Sequence, residues 1–249
     1  MFPFDSERDT LDASTTTYFV PLLTAATFAA MTGQTFFITE GIAGLARVAL
    51  GAAVIVGVMR FKHLPSGLRY LVALLGLEVA TELAVAVLHY KHQPNLFILP
   101  FFSAGEFWLL ALVYDRALQS PAFSRMRPWL AGSFVAYCLF DSLVSPEMAR
   151  FKPALQLVES VLVLGLVGLF FRKLLSELRI TRLDREPMFW VSTGLIVKHL
   201  GSIQIFLFSN FLLSHYSKEL NLNIWAIHGL LLIVLYSCYL VALWIRPQN

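Results

Sequence analysis

Residues 187–213 read PMFWVSTGLIVKHLGSIQIFLFSNFLL. At about 1.5 Å per residue a helix of this length reaches about 40 Å, more than the roughly 30 Å of a bilayer's hydrocarbon core. The run from Pro187 to Leu213 is therefore expected to be a membrane helix. Its midpoint is not apolar: Lys198 and His199 stand there, with Gly194, Gly201, Ser202 and Gln204 around them. A charged side chain at mid-bilayer costs at least about 2.5 kcal/mol. That part of the helix must face protein or water, and Gly194, Lys198 and Ser202, spaced four apart, share one face.

The rest of the chain has the same character. Of its 249 residues, 57% are hydrophobic and only 14% charged, with a mean hydropathy of +0.69, well to the apolar side of a soluble domain. The expected fold class is all-α, a polytopic transmembrane helix bundle. The net charge of +3 is small and falls in particular connections, so it reports orientation and offers no basic stripe for nucleic acid. Cys138 and Cys238 each lie in an apolar run and read as small buried hydrophobes, not as a disulfide. The chain starts acidic (Asp5, Glu7, Asp9 and Asp12 against Arg8) where a secretory signal is basic, so no cleavable signal is expected.

Seven firm spans can be read in order: Gly41 to Met59 with Arg47 inside; Ser66, as N-cap, to about Leu88 with Glu78 and Glu82; about Leu96 to Tyr114 with Glu106. Then come Pro128 to Val144 with Asp141, Pro153 to Phe171 with Glu159, the stretch quoted above, and Leu222 to Ile245 with His228. Residues 18–37 are apolar but rich in Ala and Thr behind Pro21; they suit either an eighth span or a lid on the outer surface. The chain thus divides into an acidic N-terminal segment with that extra element, 1–40, and a seven-helix transmembrane domain, 41–249.

Lys and Arg concentrate in the connections at 60–69, 116–127 and 172–185, while the alternating ones carry only Lys91, Arg150, Lys152 and Lys218. The positive-inside rule places the first group, and the C-terminus at Arg246, in the cytoplasm. Trp129, Trp225 and Trp244, near span ends, read as an interfacial belt. On that orientation Glu78, Glu82, Glu106, Glu159, Arg47, Lys198, His199 and His228 all lie at mid-depth or in the outer half of the membrane. Intramembrane ionisable groups normally turn inward and pair, so these eight are the candidate ligand-binding residues of a polar pocket closed toward the cytoplasm. Glu78 and Glu82 share a helix face. At the depth of Lys198 the nearest acids are Glu78 and Glu106, and at least one of them is expected to pair with it.

Thr81-Glu82-Leu83, Glu106-Phe107, Glu159-Ser160, Phe189-Trp190 followed by Gly194 and Gly201, and His228 after Trp225 carry a resemblance. From about residue 41 to the C-terminus the chain resembles an uncharacterised family of seven-helix bacterial inner-membrane proteins. The resemblance implies seven helices in the inner membrane and singles out Glu82, Glu106, Glu159 and His228. Lys198 departs from it, standing where an aromatic or apolar residue would be expected. No motif names a reaction or a cofactor. The leading functional reading is a pocket for a small molecule, an ion or a lipid headgroup, with residues 172–185 as a surface for a cytoplasmic signalling partner. A proton- or cation-coupled transporter comes next, although no paired broken helices or internal repeat are evident. A metal-dependent hydrolase comes last: no HExxH-like spacing is present, Lys198 would oppose a nearby cation, and no metal ligand is assigned.

Overall fold

A computed structural model describes residues 33–93, 95, 97–144, 153–177, 183–215 and 218–245, with the side chains of 33–37, 144, 177 and 206–225 outside that description. The acidic start, residues 18–32, Arg246, and the side chains of Trp225, Phe206, Phe208 and Phe211 fall outside it. The described chain is a bundle of seven α-helices: α1 Gly33–Arg60, α2 Ser66–Tyr90, α3 Ile98–Leu118, α4 Pro121–Val144, α5 Pro153–Glu177, α6 Pro187–His215 and α7 Lys218–Trp244. Five of them (α1, α2, α3, α5 and α7) are long and apolar enough to cross a bilayer within their described residues. The chain is an integral membrane protein of the all-α, polytopic class.

Several helices outrun the lengths read from apolar runs, because membrane helices continue into the polar interface. Helix α1 begins at Gly33, ahead of Gly41, and α5 continues past Phe171 to Glu177. Helix α4 starts at Pro121, so Pro128 lies inside the helix and does not open it. Proline is tolerated in a helix's first turn, and Pro121 takes that place. Just before it, Gln119 adopts a left-handed φ of 50° and closes α3. Arg127 then reaches back to Asp115 at 2.7 Å, joined by Ser124, and locks the turn. Ser66 is not the N-cap of α2; Pro65 is, with extended ψ of 153° and its carbonyl accepting from Arg69 N–H at 3.2 Å.

The packing order is a closed ring. Helix α1 packs on α2, α2 on α3, α3 on α5, α5 on α6, α6 on α7, and α7 back on α1, while α4 lies against α3. Glycines set the spacing where helices come closest. A Cβ on Gly194 would sit 2.9 Å from Cys238 Cβ and 3.4 Å from the backbone of Leu235, and one on Gly201 would meet Leu231 Cδ1 at 2.5 Å. The α6–α7 seam therefore uses small residues for close approach, as membrane helices do in place of a hydrophobic drive between them. Both cysteines are free and buried. Trp129 and Trp244 are exposed.

One end of the bundle is tied by basic side chains at helix C-termini, where they complement the helix dipole. Arg60 donates to the carbonyls of Leu243 and Trp244, and Lys173 to those of Ala117 and Leu118 at 3.0 and 2.8 Å. This basic end contains the C-termini of α1, α3, α5 and α7, as strict up-and-down alternation requires.

Candidate functional site: a polar cluster inside the helix ring

Lys198 projects from α6 across the ring to Glu106 on α3, with Nζ 3.2 Å from Oε1; their side chains are only 11% and 2% exposed. These helices are not ring neighbours, so the ion pair spans the interior. A buried pair of this kind stabilises only when each partner is present, since one left alone is a charge in a low-dielectric medium. Of the two acids read as nearest to Lys198, Glu106 makes the contact. Glu78 on α2 also acts on Lys198 electrostatically, and accepts from Tyr236 OH on α7 at 3.2 Å, another bridge between non-neighbouring helices.

His199, also on α6, lies 3.4 Å from Lys198 Nζ through Nε2 and 3.1 Å from Ser160 Oγ through Nδ1. An ammonium has only donors, so Nε2 accepts and the ring proton sits on Nδ1, facing the serine. Glu159, next to Ser160 on α5, is 1% exposed. Its carboxyl feels Glu106 and Lys198 electrostatically, and its Oε1, fully buried, has no hydrogen-bond partner. Ser103 accepts from Gln156 Nε2 at 3.0 Å. His228 on α7 meets Ser202 on α6 at 3.4 Å.

The eight candidates thus divide. Glu106, Glu159, Lys198 and His199 form one connected cluster, Glu78 adjoins it, and His228 sits beside it through Ser202. Glu82, one turn from Glu78 toward the end opposite the basic one, is only partly buried, and its electrostatic partner is Arg47 on α1. Those two face each other at the α1–α2 seam, on the margin of the cluster, where Glu82 also acts on Glu78 and Tyr236. Gln204 is exposed, away from the cluster. Sequence reading missed Ser103, Gln156 and Tyr236 as partners. Ser103 and Gln156 each stand three residues before a buried glutamate, on its face. Tyr236 had no such signal.

The two sides of the cluster differ. One turn toward the basic end, each contributing helix places a fully buried side chain: Leu75 beneath Glu78, Leu110 beneath Glu106, Val163 beneath Glu159, Leu195 beneath Lys198 and Tyr239 beneath Tyr236, all at 0% exposure. One turn the other way stand Glu82, Ser103, Gln156 and Ser202, with Leu232 on α7; Ser103, Gln156 and Ser202 are buried too. Among the described residues no three His, Cys, Asp or Glu side chains are grouped to hold a metal ion, and the Lys198 ammonium takes the position between acid and imidazole that a cation there would need.

No family model matches the chain, and no curated protein or solved structure matches it either.

Proposed function

We propose that the chain is a multi-pass protein of the bacterial inner membrane that takes a small ligand, ion or lipid headgroup into this cluster from outside and passes the occupancy to its cytoplasmic end. The observation that supports this most is the asymmetry about Lys198: a buried, mainly apolar layer on the basic end, and mainly polar side chains on the other. With the basic end cytoplasmic by the positive-inside rule, the polar side faces outward. The Lys198–Glu106 pair ties α6 to α3 across the ring, so a ligand competing for either partner shifts two helices at once. The α5–α6 connection, 172–185, is then the surface offered to a signalling partner.

Outward opening is tested by cysteine accessibility in intact cells, in a chain whose own Cys138 and Cys238 are replaced by alanine. Gln156→Cys, on the polar side, is expected to react with a membrane-impermeant maleimide; Ser192→Cys, beneath the apolar layer, is expected not to. An unreactive Gln156→Cys in a protein that still folds and inserts would sink the outward-pocket reading.

A further inference from the structure

Glu106 on α3 and Glu159 on α5 place two carboxyls inside the ring that act on each other electrostatically, both at most 2% exposed. Two such groups cannot both carry a charge with nothing positive between them. Lys198 supplies one positive charge, and it does so through Glu106 Oε1. That leaves the pair one charge short, and of the two acids it is Glu159 that has a buried oxygen without a partner. A buried carboxyl oxygen without a donor is costly, so the vacancy in its hydrogen bonding marks where the missing charge belongs.

We infer that the α3–α5 seam is a monovalent-cation site: one positive charge, an alkali ion or a proton, is held between Glu159 and Glu106. This names the ligand class of the proposed pocket and rests on that reading for its route of entry. The donor set is hard oxygen, from the two carboxyls with Ser103 Oγ and the Gln156 amide beside them, which suits an alkali ion. A divalent ion would leave the two carboxylates and Lys198 with a net positive charge, which the Lys198 ammonium opposes, whereas a monovalent ion brings the three to neutrality. The titratable groups acting on Glu159 are Glu106 on α3, Cys138 on α4 and Lys198 on α6, while His199 on α6 meets the adjacent Ser160. Glu78 and Tyr236 lie beyond Lys198. None of them except Lys198 brings a permanent positive charge.

The full chain in nanodiscs of neutral lipid provides the test. Melting temperature is followed first in sodium chloride against choline chloride at equal ionic strength and fixed pH, then across pH in choline chloride. An ion bound only by the folded state, at a hundredfold excess over its dissociation constant, raises the melting temperature by about 5–10 °C. A sodium-dependent rise that Glu159→Gln abolishes identifies an alkali ion. A rise on acidification, without a sodium effect, that the same variant abolishes identifies a proton. Equal responses in the two proteins, or no response in either arm, overturn the site. Should Glu159→Gln fail to fold, Ser103→Ala keeps both carboxyls and removes a neutral oxygen; it is expected to shift the sodium or proton midpoint several-fold, and an unmoved midpoint overturns the site equally. A flat melting series with a reactive Gln156→Cys rejects the cation alone, whereas a cation response with an unreactive cysteine rejects the outward route alone.

Discussion

Lys198 concentrates the energetics of the cluster in one side chain, because its ammonium meets Glu106 and His199 and feels Glu78 and Glu159. Replacing it with methionine leaves Glu106 buried and without its counter-charge, a loss expected to be about 3–5 kcal/mol. Adding Glu106→Gln removes the orphaned charge and should restore part of that loss, read as a coupling energy in a double-mutant cycle of unfolding in detergent. Glu78→Gln in place of Glu106→Gln should couple less, because Tyr236 rather than Lys198 is its hydrogen-bond partner. Additive losses for the Glu106 pair would mean that the contact contributes nothing. That Lys198 needs an acid was legible from its position in an apolar run, since a lone mid-membrane ammonium is untenable. Which acid it meets was not, because the choice between Glu78 and Glu106 depends on helix rotation, and rotation leaves no trace in depth along the chain.

Helix ends and seams were legible to different degrees. Apolar runs located all seven helices, but their ends move with caps and interfacial turns that composition does not mark: Pro65 caps α2, and α4 begins at Pro121 with Pro128 inside. The glycines of α6 were readable as packing positions, and their neighbours rank the two. The Cβ of Gly194→Ala would face Cys238 Cβ and the Leu235 backbone, which cannot rotate away, whereas that of Gly201→Ala would face the far end of Leu231. Gly194→Ala is therefore expected to lower the melting temperature clearly, by overpacking worth about 1–3 kcal/mol, and Gly201→Ala by much less. Equal shifts, measured by thermal unfolding in one detergent, would place the tight α6–α7 contact elsewhere.

At the scale of the whole molecule, the ring closes by α7 returning to α1, a pairing between the first and last helices that no local pattern announces. The ring turns scattered intramembrane acids into one cluster with a mainly apolar side and a mainly polar side, with Arg47 and Glu82 on its margin at the α1–α2 seam. An outward-facing cluster requires the basic end of the ring to lie in the cytoplasm. Single cysteines at Lys91 and at Asp184, both exposed and at opposite ends, measure this directly with an impermeant thiol reagent in intact cells. Lys91→Cys is expected to react and Asp184→Cys to react only after the membrane is opened; the reverse pattern would contradict the outward-facing cluster and turn its polar side to the cytoplasm.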